Sequence, residues 1–284
     1  MMAANEITFV SDAEIMNCFK FAAWALALLA SRGYATESSQ LSAEQARVLE
    51  AVRASALQYT HQLPNFICKQ ITHREVLKTK PNAAGVSSHG QTLTRDTIEE
   101  QLTYNGGKES YNVLTVNGHK AFAEDHLQFA GAISSGEFGT IFTIVFDPGS
   151  NTTFSWDREA KVGGRRAWAF KYHVPKEAGT VVVYQETHST IVAPFSGEVL
   201  IDPENSDVLE ISSQLELPAD FPIRKVDRKI DYAVHEIGGK IYRLPAHSEL
   251  HMEQGAMEFN NKIAFASYHH FSTESKLHFG DDAK

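Results

Sequence analysis

From Phe66 onward the chain is dominated by apolar and polar positions that alternate with period two. Trp168, Phe170, Tyr172 and Val174 alternate with Ala167, Ala169, Lys171 and His173. Val226, Arg228, Ile230, Tyr232 and Val234 alternate with Asp227, Lys229, Asp231 and Ala233. Met257, Phe259, Ile263 and Phe265 do the same against Glu258, Asn260, Lys262 and Ala264. Successive strand side chains point to opposite faces, so each segment predicts a strand with one apolar and one wetter side. Turn residues separate the segments: Asn105-Gly106-Gly107, Asn117-Gly118, Gly163-Gly164, Pro203-Glu204-Asn205 and Gly238-Gly239. The pattern predicts about ten to twelve strands in sequential hairpins, without the intervening helices that a parallel sheet needs. So many antiparallel strands are expected to curl into a half-barrel or open barrel. The fold class is therefore mainly β (α+β), with residues 36–284 as a single domain.

Two segments read as helices. Ser42 to about Gln62 opens on a capping box of Ser42 and Gln45 and repeats Val48, Leu49, Val52, Ala56 and Tyr59 at helical spacing. Leu63-Pro64 ends it, because proline disfavours helix at the residue before it. The second segment is expected to begin at Ser134, with Ser134 and Glu137 as a capping box and Ile133 and Phe138 as a hydrophobic staple. Asp147-Pro148-Gly149 is its stop. Phe138, Ile141, Phe142, Ile144, Val145 and Phe146 leave this short helix apolar nearly all round, so it must be buried. Placed beside a curled sheet, it is either a lid over the concave face or an ordinary core helix. By contrast, Lys78 to Thr97 shows no periodicity and is expected to be a mobile flap or a plain loop.

The N-terminus carries its own signal. Residues 1–15 bear Glu6, Asp12 and Glu14, the wrong sign for a targeting head. From Met16 the layout changes to Lys20, the apolar run Phe21–Ala30 and the small residues Gly33 and Ala35. That is the plan of a secretory signal peptide and is shorter than the roughly 20 residues that span a bilayer. Translation is expected to start at Met16 and processing to follow Ala35; the competing reading is a buried N-terminal helix. Cys18 lies before the apolar core and does not fit a lipid-attachment cysteine. Cys68 is then the one remaining thiol and reads as a small buried hydrophobe. The expected location is periplasmic or secreted.

Charge and chemistry exclude more than they assign. A formal net charge of −9 argues against a nucleic-acid partner and against docking on anionic lipid. No apolar run is long enough for an integral membrane helix. Thirteen histidines invite a metal, yet His247 and His251 lack a third ligand at diagnostic spacing, and His269 and His270 point to opposite faces of a strand. No nucleophile elbow, phosphate loop or dinucleotide fingerprint is present. Asp202 is expected to organise a turn, Arg165-Arg166 to face Asp157 or Glu159, and Glu137 to serve its cap. The sequence thus predicts no catalytic residue, no metal and no cofactor.

A set of phrases adds a resemblance. Leu63-Pro64-Asn65-Phe66 with Cys68, Ser134–Gly139 leading to Phe146 and Pro148, Phe154-Ser155-Trp156 and Gly164-Arg165-Arg166 form its first half. Ser196–Asp202, Phe221-Pro222-Ile223, Asp231-Tyr232 and Ile237-Gly238-Gly239 through Leu244-Pro245 complete it. Over residues 42–279 the chain resembles an uncharacterised family of exported bacterial proteins, which is in turn similar to the LolA-type lipoprotein-carrier fold. The resemblance implies a curled antiparallel sheet whose concave apolar face is closed by helices and shields acyl chains. The arginine motif of those carriers is not placed in this sequence.

Together these readings predict a non-enzymatic exported protein whose partner is a hydrophobic small molecule or a lipidated protein's acyl chains. The expected lining of its apolar concavity is Phe138, Ile141, Phe142, Val145, Trp156, Trp168, Phe170 and Tyr172. An envelope sensor or scaffold that contacts another envelope protein is the second expectation. A hydrolase with an Asp, Glu and His site at the barrel mouth is the third.

Overall fold

Hairpins account for most of the architecture. In the computed structural model, which describes residues 6–8, 41–81, 87–121, 131–132, 136–184 and 188–271, a short strand β1 (Glu6–Thr8) precedes helix α1 (Ala43–Gln62). Then follow β2 (Phe66–Pro81), β3 (Ser87–Asn105), β4 (Lys108–Val116), β5 (His119–Lys120) and β6 (Gly131–Ala132). Helix α2 (Thr140–Phe146) leads to β7 (Thr153–Val162), β8 (Arg165–Val174), β9 (Thr180–Tyr184) and β10 (Ser189–Ala193). The chain closes with β11 (Phe195–Ile201), β12 (Val208–Leu215), β13 (Ile223–Ile237), β14 (Lys240–Gln254) and β15 (Met257–His270). The segment expected to act as a signal peptide, residues 16–35, lies outside the described residues, and the strand at 6–8 falls in the stretch expected to precede the translation start.

Eleven strands form one antiparallel sheet in the order β5-β4-β3-β2-β15-β14-β13-β12-β11-β8-β7. Its two edges, β5 and β7, do not pair with each other, so the barrel is open. The expected turns are in place: both central residues of the turns at 106–107, 163–164 and 238–239 have positive φ, which matches the twist of the flanking strands. A second sheet, β10-β9-β1-β6, was not foreseen. It lies over one end of the large sheet, where Ala132, Val182, Tyr184 and Ala193 meet Val76, Ile223, Val226, Leu250, Met252 and Phe259.

The apolar parity places the core on one face. Val226, Ile230 and Tyr232 on β13 and Phe259, Ile263 and Phe265 on β15 all point inward and are buried. Next to the second sheet, a further part of this face is roofed by α1 and α2. A third surrounds Phe138 with Phe66, Leu102, Leu244 and Phe265. Among the described residues the small cluster of Ala167, Ala169, Leu200 and Leu209 covers part of the outer face, which also carries cross-strand ion pairs. Val234, expected on the apolar side, is 54% exposed near the end of its hairpin.

Two expectations are corrected. Residues 78–97 are not a loop: they form the distal arms of β2 and β3, paired as far as Pro81 with Ser87, and residues 82–86 at the tip lie outside the described residues. The arm carries no hydrophobic alternation because polar cross-strand pairs hold it, Arg74–Asp96 at 2.9 Å and Arg95–Glu75 at 2.7 Å. The second helix starts at Thr140, six residues beyond the expected cap, with Gly139 at its N-cap and no side chain accepting there. Ile133 and Ser134 lie outside the described residues. The stop at Asp147 is as expected, and its carboxylate accepts the Gly149 amide at 2.8 Å.

Candidate functional site

The site is built on the inner face, where the helices meet the sheet. Helix α2 is too short to be stable alone, and its Ile141, Phe142, Val145 and Phe146 are all buried. The Phe142 ring lies 4.9 Å from that of Tyr59 on α1 and 4.9 Å from that of Tyr232 on the sheet. Phe146 stacks on Phe154 at 5.7 Å. Across from them, Trp168, Phe170 and Tyr172 project from β8 into the same cluster. The structure thus gathers six of the eight expected lining residues: Ile141, Phe142, Val145, Trp168, Phe170 and Tyr172. Trp156 is half-buried on the edge strand, its ring 5.5 Å from Trp168. Phe138 stands apart, within 5.3 Å of Phe66 and 5.1 Å of Phe265. Side chains fill the space between α2 and the sheet in this state, so α2 is a closed roof.

An opening lies instead at the seam between the second sheet and the large sheet. A cavity of about 20 Å³, room for about one water, is lined by Thr180, Ser213, Leu215, Val226, Arg228 and Leu250. Arg228 sits on the inward parity of β13, between Ser213 on β12 and Leu250 on β14. Gly197 explains how polar groups reach this region. A Cβ there would fall 2.7 Å from the Tyr172 hydroxyl, so its absence lets Tyr172 cross β11 and donate to the Ser212 carbonyl at 2.7 Å. Burial pushes the Tyr172 hydroxyl above its ordinary pKa, with Arg228 opposing. Tyr232 is also raised well above its ordinary value, first by burial and then by Tyr59. The Tyr232 hydroxyl and Trp168 Nε1 are buried without a hydrogen-bond partner among the described residues. Such an orphan costs about 1–3 kcal/mol and asks for a function or a water.

The other end of the roof is tied by a carboxylate. Glu109 on β4 accepts the Gly136 amide at 3.0 Å and the Phe138 amide at 3.1 Å, and the Tyr111 hydroxyl donates to it. Gly136 has φ +85°, and a Cβ there would lie 2.8 Å from Thr140, so this turn needs glycine. Glu137 is only 1% exposed. Burial first, then the Glu137 charge, raises the Glu109 pKa above the ordinary carboxylate range. The Cys68 thiol, buried and near Glu109, is pushed up to about 12, which makes it inert as a nucleophile. Glu100 is buried beside them and accepts from Gln70 Nε2 at 2.8 Å.

Other expected residues have structural partners. Arg166 pairs with Glu159 at 2.7 Å, whereas Arg165 reaches Asp202 at 2.5 Å. Asp202 also accepts the Glu204 amide and so organises its turn. His251 contacts Asn260 and Glu253, and His247 is exposed. Among the described residues no group of three His, Cys, Asp or Glu side chains is placed to hold a metal, and no helix is long and apolar enough to cross a membrane. Sequence reasoning missed Arg228 and Glu109. Arg228 was visible as the one charged residue among the apolar-parity positions from Val226 to Val234, but Glu109 meets the turn it holds only through the fold.

An open curled sheet with two helices on its apolar face is the half-barrel architecture that the resemblance implied. Among solved structures the chain is similar to an outer membrane lipoprotein-sorting protein domain from Vibrio parahaemolyticus, at 10% identity and a TM-score of 0.33, over 81% of this chain and 94% of that one. It is also similar to a DUF1329 family protein from Desulfovibrio piger, at 8% identity and a TM-score of 0.33, over 82% of this chain and 97% of that one. No protein-family model and no curated protein sequence matches the chain.

Proposed function

We propose that this is an exported, non-enzymatic binding protein of the cell envelope. It takes a lipid, a lipoprotein acyl chain or another hydrophobic ligand on the inner face of the half-barrel, with the polar end at the seam beside Arg228. The observation that carries this reading is the seam cavity, which brings an arginine, Ser213 and Thr180 into an otherwise apolar face. A few polar groups set in an apolar lining fix the orientation of a ligand whose affinity comes from burial. The buried carboxylates also favour binding over catalysis, since Glu109 holds backbone amides and Glu100 holds Gln70.

The cavity is too small for a chain, so binding displaces the roof. Four buried α2 side chains at about 1.5–3 kcal/mol each represent about 6–12 kcal/mol of apolar burial. An acyl chain of about 12 methylenes, at about 0.8 kcal/mol each, supplies about 10 kcal/mol. The exchange is close to balanced, as reversible loading and release require. The test is native mass spectrometry of protein purified from the envelope, followed by titration of delipidated protein with a fluorescent fatty acid. Expected are co-purified lipid and saturable binding of one probe, weakened at least tenfold in Arg228→Leu. Lipid-free protein with no saturable probe binding would overturn the reading.

A further inference from the structure

The inner face carries three buried hydrogen-bond donors at positions where an apolar side chain would have packed as well. Tyr232 on β13 is 6% exposed, Trp168 on β8 5% and Ser248 on β14 1%. The Tyr232 hydroxyl, Trp168 Nε1 and the Ser248 hydroxyl have no hydrogen-bond partner among the described residues. Neighbouring phenols are built differently. Tyr59 donates to the Arg243 carbonyl at 3.0 Å, Tyr172 to the Ser212 carbonyl at 2.7 Å and Tyr268 to the Pro245 carbonyl at 2.7 Å. A backbone carbonyl satisfies each of these three, whereas Tyr232 lies beneath α2 with its ring 4.9 Å from that of Phe142. The three unpartnered donors share one face of the large sheet. Ser248 pairs with Ile230, two residues along β13 from Tyr232. Trp168 stands on the row that runs through Ile201 on β11 and Val208 on β12, and it packs in the same cluster as Tyr232 and the buried side of α2.

We propose that this donor set receives the carbonyl oxygen of an acyl ester, so that the inner face selects an ester-linked acyl chain over a chain without that carbonyl. The inference rests on the binding reading and deepens it by naming the linkage that is bound. An indole N–H only donates, and a hydroxyl donates as well as accepts, so what the three groups lack in common is an acceptor. A methylene chain brings none. A fatty acid has one polar end, which the seam beside Arg228 takes, about 13 Å from Tyr232 at four residues' rise along β13. An ester-linked chain brings a further acceptor, and an uncharged one, which enters an apolar enclosure at far lower cost than a carboxylate. Closing α2 without ligand leaves the donors unsatisfied at a cost to the closed state. Ligand that displaces Phe142 from Tyr232 removes that cost.

The test compares two lipids of one chain length, 1-palmitoyl lysophosphatidylcholine and its 1-O-hexadecyl ether, which lacks the carbonyl. Both are titrated into the delipidated full-length chain below micelle formation. The ester is expected to bind about fivefold more tightly, the net worth of a typical hydrogen bond. Tyr232→Phe keeps the ring and removes the hydroxyl, and should cut the preference at least twofold; adding Ser248→Ala should cut it further. Should the double variant not fold, Tyr232→Phe decides. Urea unfolding without ligand supplies a readout that a purely structural hydroxyl would move the other way: Tyr232→Phe should unfold at the same or a higher urea concentration. A second pair, a diacylglyceryl-modified peptide and its dialkyl ether, separates the sources. Preference in this pair alone assigns the ester to a lipidated protein, and preference in the lysolipid pair assigns it to a free lipid. Equal affinity within both pairs, or a preference that Tyr232→Phe leaves intact, overturns the ester and spares the inner-face reading. A lower urea midpoint in Tyr232→Phe means that a fixed water already serves the hydroxyl, and overturns the ester too. Binding of no member of either pair overturns the inner-face reading itself.

Discussion

The two helices cover neighbouring parts of the same apolar face, yet they are built by opposite means. Helix α1 spans 20 residues, and its reciprocal Ser42–Gln45 capping box is closed by hydrogen bonds of 2.8 and 3.2 Å. Its inward stripe of Val48, Leu49, Val52 and Ala56 is buried, Glu50 faces water, and half-buried Arg53 pairs with Glu50 and lies over the Phe154 ring. Helix α2 spans seven residues, lacks a capping side chain and is anchored by a carboxylate from β4. The first carries its own determinants; the second exists only through tertiary contacts, since isolated helices below about 12–15 residues are marginal. The comparison teaches which part of the roof can move. An element held by long-range contacts opens when one of them is lost, and one held by local contacts stays.

Mutations can break this contrast. The largest effect is expected at Phe142, whose ring touches α1, α2 and the sheet together. Phe142→Ala should lower stability by about 3–5 kcal/mol in urea unfolding; a loss under about 1 kcal/mol would mean that α2 does not close on the sheet. Next, Glu109→Leu strips the Gly136 and Phe138 amides of their acceptor and should cost about 2–6 kcal/mol, at about 1–3 kcal/mol per buried amide. Exchange protection should vanish in α2 and persist in α1, and joint loss in both helices would contradict their independence.

Smaller effects sharpen it. The raised Glu109 pKa makes the folded state hold a proton that the unfolded chain releases near 4.5. Its stabilising contribution is therefore complete below that value and is lost as pH rises through the folded pKa. Urea midpoints should fall between pH 5 and pH 8, and Glu109→Gln should flatten that slope. Ser42→Ala should cost about 1 kcal/mol and fray only the start of α1, as read by exchange. Last, Arg166→Ala removes an ion pair whose partners are 54% and 63% exposed; the midpoint should move by less than about 0.5 kcal/mol.

How far the sequence disclosed this arrangement depends on how local each determinant is. The alternation at Trp168–Val174, the two-glycine turns and the Ser42 capping box are encoded within a few residues, and each was legible. The distal arms of β2 and β3 were not, because polar cross-strand pairs hold them and leave no apolar period to detect. The start of α2 misled for a related reason: Ser134-Ser135-Gly136-Glu137 imitates a capping box, while the amides at 136 and 138 are taken by Glu109, 27 residues away from the first of them. Of the candidate lining, the residues of α2 and β8 were readable from hydrophobicity. The seam was not, because Thr180, Ser213 and Arg228 meet only when the second sheet docks on the first.

Brominated fatty acid quenching tests the central claim most directly, because bromine quenches only tryptophans that it touches. With Trp24 replaced by phenylalanine, the remaining tryptophans are Trp156 and Trp168, both at the roofed part of the inner face. Titration with bromostearate should quench their emission saturably at one chain per protein, and unbrominated stearate should reverse it. Emission that stays unchanged through the titration would contradict a hydrophobic ligand on the inner face.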